Sequence, residues 1–319
     1  MDVIVFTETE LSVALGAVRA VDPYPTAAQD DFLRAVARLH GLHLDPPALR
    51  RPSLEETAAS IVEPRQRMRV LELAIVMSTI DGEVTAIPTA NVSSLARALG
   101  FDERATRTLR EVSHHHHLLT RIDLTRRLGG RLVKNAWREE GWGGIQRLRG
   151  PILNVAEDLT LAARYQALAD CPSGSLGRAL FDHYRAHDFR FPGERGGMPE
   201  QGVFHDLGHV LSGYGTDAEG ELQQAAFQAG FVRCHGFSYL LFGIVQFHLG
   251  VKVASITDGE HGVFDVRRVL EALARGAGCR VDPSEDFDLF RHASRPLDEV
   301  RSELGIIPLE GAASQRLVA

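Results

Sequence analysis

The sequence predicts an all-α protein of two helical domains, and three features of the chain point there. Apolar residues recur at spacings of three and four in FLRAVARLHGL, MRVLELAIVMSTI, VSSLARALG and VRRVLEALARG, the stripe of an amphipathic helix and not the alternation of a strand. Start and stop signals sit where such helices need them: Pro25-Thr26 before the first long helix, Gly100 after SLARALG, and Pro296 opening PLDEVRSELG. At 319 residues, 44% hydrophobic and 24% charged, the chain can fill two cores and falls outside the disordered and low-complexity classes.

In chain order, residues 1–24 read as an N-terminal segment, 25–125 as a first helical domain, 126–150 as a linker and 151–319 as a second helical domain. Pro46-Pro47 and Arg51-Pro52 mark loops in the first domain, and GWGG at 141–144 with Gly150-Pro151 marks a turning region in the linker. Residues 69–101 run from an apolar helix through an Asp81-Gly82-Glu83 turn and a loop to a second amphipathic helix ending at Gly100. This shape resembles the tellurite-resistance TerB-like helical domain, whose pattern places an acidic Asp-Gly-Glu turn after a core helix. Asp81 and Glu83 could hold a hard cation through oxygen. The plainer reading is a helix end capped by Gly82 in the left-handed conformation, with its acids in water.

Composition narrows the function classes. Thirty-five Lys and Arg against 42 Asp and Glu give a formal charge of -7, so no basic field drives binding to nucleic acid. Cys171, Cys234 and Cys279 form no CxxC pair, which fits a reducing cytosol better than a disulfide framework. MDVIVFTETE has acids where a signal peptide is basic, and no run of about 18 apolar residues occurs, so the expected location is cytoplasmic, at most peripheral at a membrane. Of the 14 histidines, His114 to His117 form an internal run best read as a solvated helix face. His183, His187, His205, His209, His235, His248 and His261 fall in one stretch of the second half, where chemistry is expected.

The informative segment is FHDLGHVLSGYGTDAEGELQQAAFQAGF, residues 204–231. His205 and His209 are i and i+4, so on a helix their imidazoles reach one metal ion. Asp206 can coordinate directly, or hold an imidazole or a water. The helix should end near Ser212-Gly213, and Thr216-Asp217 looks like the cap of the next helix. A tight turn and an antiparallel return would bring Glu221 back beside both histidines, a mixed nitrogen and oxygen set that suits zinc first and iron second. The second domain is thus expected to be a helical bundle with a divalent metal between two antiparallel helices.

HDLGH, eleven residues and then Glu221 is similar to the HDxxH-x11-E signature of the Coq-four family of ubiquinone biosynthesis. Upstream, CPSGSLGRALFDHY (171–184) looks like that family's Gly-Thr-Leu-Gly helix start, and RPLDEVRSELGIIP (295–308) looks like its closing Pro-Leu-Glu-Glu-Val-Arg helix. The resemblance implies an all-helical domain, often dimeric, with a metal on His205, Asp206, His209 and Glu221. It also implies action on the polyprenylated ring precursor of coenzyme Q, replacing the ring carboxyl by hydroxyl, or scaffolding of the other quinone-biosynthesis enzymes. This chain departs from the family in the PEQGVF before His205, in Gly208 where an aromatic residue is usual, and in its TerB-like front half.

Downstream, the apolar stretch 237–249 reads as a buried helix, and could also wall a groove for an isoprenoid tail. His235 and His248 read as satisfied core histidines and Cys234 as a small buried hydrophobe. Two readings from other classes compete. One is a zinc metallopeptidase-like hydrolase with Asp206 as general base; the other is a non-catalytic, metal-stabilised interaction module, for which the front half argues.

Overall fold

In the computed structural model, which describes residues 6–114, 157–233, 236–251, 260–285 and 287–309, the chain is all-helical, with no strand among those residues. The helices are α1 (Glu8–Arg19), α2 (Ala27–Leu39), α3 (Leu54–Ser60), α4 (Pro64–Met77), α5 (Ala86–Ala98), α6 (Arg107–Ser113) and α7 (Leu159–Gln166). They continue with α8 (Leu176–Ala186), α9 (Val203–Ser212), α10 (Ala218–Phe231), α11 (Phe237–Gly243), α12 (Val266–Ala277), α13 (Leu289–His292) and α14 (Leu297–Leu304). Two compact units form, Met1–Thr125 with Leu240–Glu271, and Arg126–Tyr239 with Ala272–Ala319. Segment 240–271, expected in the C-terminal domain, therefore belongs to the first unit. The expected linker, the GWGG turn, His115 to His117, Cys234 and His235 lie outside the described residues.

The first unit begins earlier than the periodicity suggests. Residues 8–19 form α1 because Thr7 and Glu10 make a capping box, each accepting the other's backbone N–H. A second box, Thr26 with Gln29, starts α2 at the expected signal. The Thr26 hydroxyl also donates to Asp81 at 2.7 Å, and Gly82 beside it has φ +79°, so the Asp-Gly-Glu turn serves to tie the start of α2 to the chain beyond α4.

The apolar stretch after α11 is core. α11 runs into a single π turn, Ile244–His248, and Leu240, Leu241, Ile244, Val245 and Phe247 are at most 5% exposed. These side chains pack into the first unit, while Phe237, Tyr239 and Phe242 of the same stretch are only partly buried. His248 explains part of this packing: its Nε2–H is shared between the Thr79 and Ile80 carbonyls, both at 3.0 Å, while Nδ1 accepts from the Phe264 N–H. Burial pushes its pKa down, as befits a neutral core imidazole.

In the second unit the segments CPSGSLG and RPLDEVR meet. Ser175, whose hydroxyl caps α8, pairs antiparallel with Pro296, and Leu176 N–H donates to the Arg295 carbonyl and Leu297 N–H to that of Gly174, both at 3.0 Å. From α14, Arg301 then reaches the end of α9, donating to the Leu211 and Val210 carbonyls at 2.9 and 2.8 Å. Arg275 of α12 donates to the Ser212 carbonyl at 2.9 Å. A helix leaves its last four carbonyls without intrahelical partners, and its C-terminus favours cations, so two guanidinium groups here satisfy both needs. Arg301→Ala should cost about 2 kcal/mol in urea unfolding, since it strands two part-buried carbonyls. Arg301→Lys, with no planar fork to span both, should recover only part of that.

Candidate metal centre

α9 and α10 form the hairpin that the spacing predicts. α9 ends at Ser212 because Gly213 takes the left-handed conformation at φ +81°, and Asp217 then caps α10 by accepting the Gly220 N–H. The return is antiparallel: His205, early in α9, meets Gln228, late in α10, and Ser212 at the end of α9 meets Gln224.

Three of the four expected ligands converge. His205 Nε2 lies 3.3 Å from one Glu221 oxygen and His209 Nε2 3.5 Å from the other, and the two Nε2 atoms are 3.2 Å apart. One donor atom from each of these residues lies within 4.8 Å of the others, so the group could hold a metal ion. The opposite ring edges are anchored. His209 Nδ1 faces the Tyr214 carbonyl at 3.1 Å and His205 Nδ1 the Gln228 side-chain oxygen at 3.2 Å. A carbonyl oxygen only accepts, so each Nδ1 carries a hydrogen and each ring turns its Nε2 toward Glu221, as a lone pair once the Nε2 proton is displaced. This is the outer hydrogen bonding that metal-bound histidines use.

Without a metal, protons must reconcile these lone pairs. Burial works against charge on His205, but the hydrogen bond and negative charge of Glu221 outweigh it and push the imidazole up to about 9. Burial likewise opposes ionisation of Glu221, and the hydrogen bonds from His205 and His209 overcome it, bringing the carboxyl down to about 2. Two imidazoles and a carboxylate, with no thiolate, suit a divalent ion such as zinc or ferrous iron, and three protein ligands leave a coordination position open. His205 is the more exposed histidine, at 29% of its side chain against 2% for His209.

Asp206, expected as the fourth ligand, stands outside this group. One residue along a helix is a rotation of about 100°, and its buried carboxylate is turned to Tyr184 on α8, from whose hydroxyl it accepts a hydrogen bond. Burial pushes the Asp206 carboxyl up, against the pull of His205 and of the Tyr184 bond. The pair joins α9 to α8 inside the unit.

Several site residues escape the sequence pattern. Gln224 and Gln228 share the α10 face of Glu221 at helical spacings, a polar row that is largely buried, and that row was the available signal. Gln224 accepts from the Ser212 hydroxyl at 2.8 Å. A Cβ on Gly208 would sit 2.0 Å from the Gln224 amide nitrogen, which accounts for glycine at this position. His183 of α8 also reaches the site, stacked on His209 with ring centroids 5.8 Å apart. Burial, then His209, His187 and His205, push it down to about 4, so it is neutral at pH 7.

Compared with protein-family models and with curated proteins, the sequence matches none.

Gly208→Ala should destabilise the protein by about 1 kcal/mol or more, because overpacking against the buried Gln224 exceeds the helix-propensity gain. In a double-mutant cycle, Gly208→Ala with Gln224→Ala should lose clearly less than the sum of the two. The charge states also set a pH signature. His205 is raised from 6.5 to about 9, so its contribution to metal-free stability is full below about 6.5 and fades as the pH rises to 9. Metal must displace that proton, so zinc affinity should rise over the same window while metal-free stability falls, as titration calorimetry and thermal unfolding would read.

Proposed function

We propose that this chain is a metal-dependent protein of isoprenoid-quinone biosynthesis, with a divalent ion on His205, His209 and Glu221. The observation that carries the metal reading is the pair of anchored Nδ1 atoms, which turns both Nε2 atoms toward one carboxylate in a largely buried place. Zinc is the first choice of metal and iron the second. A bound divalent ion supplies a Lewis acid with an open position, and iron adds redox chemistry.

The pathway rests on the resemblance of HDLGH with Glu221, of CPSGSLG and of RPLDEVR to the Coq-four family. On that reading a polyprenylated aromatic acid exchanges its ring carboxyl for hydroxyl, a net oxidation that releases carbon dioxide and needs an oxidant as co-substrate. The scaffold reading of that family, with other quinone-biosynthesis enzymes or a second copy of the chain as partners, uses the same site. In the chain itself, Tyr214 and Gln228 hold the two ligand rings in register, Arg301 and Arg275 fix the end of their helix, and the open side belongs to the substrate. A tail would lie away from Leu240, Leu241 and Ile244–Leu249, which are core. Such a substrate would bring the protein to the cytosolic face of a membrane, and no described helix is long and apolar enough to cross one.

The hydrolase reading loses ground because Asp206, its general base, is engaged by Tyr184. Protein purified without added metal should contain about one equivalent of zinc or iron, and His205→Ala with His209→Ala should remove it while leaving helicity in place. Equal trace metal in both would overturn the metal reading. Labelled carbon dioxide released from a carboxyl-labelled polyprenylated ring acid by the wild type alone would support the pathway, and its absence with metal bound would favour the scaffold.

A further inference from the structure

A second pair of histidines four residues apart stands outside the ligand set: His183 in α8 and His187, the residue that closes that helix. Their ring centroids are 4.8 Å apart, the same separation as those of His205 and His209. An imidazole bound through Nε2 at about 2.0 to 2.1 Å holds its centroid about 3.2 Å from the ion, so two rings at octahedral or tetrahedral angles stand about 4.5 to 5.1 Å apart. Both pairs fall in that span. His183 and His209 do not: their centroids are 5.8 Å apart and their rings only 17° from parallel, so His183 goes with His187 and not with an ion on His209.

Two further observations separate this pair from polar residues on a solvated helix face. His183 Nε2 is shut off from solvent and meets no hydrogen-bond partner in the protein. Buried polar nitrogens nearly always have a partner, and one without calls for a water or an ion. His187 Nδ1, for its part, lies 3.1 Å from the hydroxyl of Thr216, in the turn between α9 and α10. That hydroxyl can accept from Nδ1–H, which leaves Nε2 as a lone pair for a metal, as the outer hydrogen bonds of histidine ligands do. Phe189 packs on both rings, its centroid 5.8 Å from that of His183 and 5.3 Å from that of His187, and restrains them. His187 is exposed, so an ion enters from the solvent side.

We propose that His183 and His187 hold a second divalent cation of the zinc class, with water completing its coordination and Thr216 orienting His187. With two protein ligands and no carboxylate, this site binds more weakly than the group of His205, His209 and Glu221, and it fills only when metal is added. The two sites share no ligand, so this one stands apart from the metal reading above.

The test is equilibrium dialysis of the full chain against zinc, with the bound metal counted. The parent carries His114→Gln, His115→Gln, His116→Gln and His117→Gln, so that the histidine run adds no site. It should bind one tight and one weaker equivalent. His187→Ala, at an exposed position, should lose the weaker equivalent and leave the tight one within about twofold, and Thr216→Val, which removes only the hydroxyl, should weaken the second step by about tenfold. His205→Ala with His209→Ala should keep the weaker equivalent, and adding His187→Ala should remove it. One equivalent in the parent and in His187→Ala alike overturns the proposal. A parent that binds two equivalents while His205→Ala with His209→Ala binds none also overturns it, because both ions then depend on one centre. Loss of the tight equivalent in His183→Ala but not in His187→Ala assigns His183 to the first ion and overturns the pairing. A single weak equivalent, lost with His187 but not with His205 and His209, upholds this site and refutes the metal reading of the other.

Discussion

Two imidazole nitrogens 3.2 Å apart, each within 3.5 Å of the same carboxylate, are the constraint around which the second unit is organised. Lone pairs so placed repel one another unless a cation or a proton stands among them, and partial burial removes the water that would otherwise screen them. In the metal-free protein a proton on His205, held by Glu221, does this work. The hydrogen bonds at the far ring edges keep the imidazoles from rotating to relieve the repulsion. Each anchor comes from the hairpin, Tyr214 in its turn and Gln228 on its second helix, so geometry and tautomer are set by the same short segment.

Holding that segment falls to residues far away in the chain. Arg301 and Arg275 take the terminal carbonyls of α9, and the start of α14 is itself bonded to the start of α8. α8 in turn carries Tyr184, which bonds Asp206, and His183, which stacks on His209. The stretches 171–184, 204–221 and 295–308 are thus one connected structure, with α14 clamping the end of α9 and α8 supporting its face. Stretches far apart in the chain depend on one another here, because each satisfies groups that another leaves open.

The site divides its polar groups by role. His205 and Glu221 share charge, Asp206 and Tyr184 share a buried hydrogen bond on another side of α9, and His183, stacked on His209, stays neutral. Neighbouring residues of one helix end in different environments because successive side chains leave it about 100° apart. A carboxylate beside a histidine in sequence is therefore not beside it in space, whereas Glu221, on another helix, is.

By itself the sequence determined the helical class, the hairpin and the meeting of His205, His209 and Glu221, because those follow from local rules: apolar spacing, Gly213 at a helix end, Asp217 as a cap, and the i and i+4 placement of His205 and His209. It also marked His248 as a core histidine. Tertiary structure decided the rest. It turned Asp206 toward Tyr184, gave Gln224 and Gln228 their places opposite α9, set His183 on His209 and drew 240–271 into the first unit. It also revealed α1, whose capping box was readable in Thr7 and Glu10 but whose apolar face gained meaning only with the helices that cover it. The division follows from range. Backbone propensity and helical periodicity act within a few turns, while the partner of a buried polar atom is chosen by whichever distant segment the packing brings within hydrogen-bond reach.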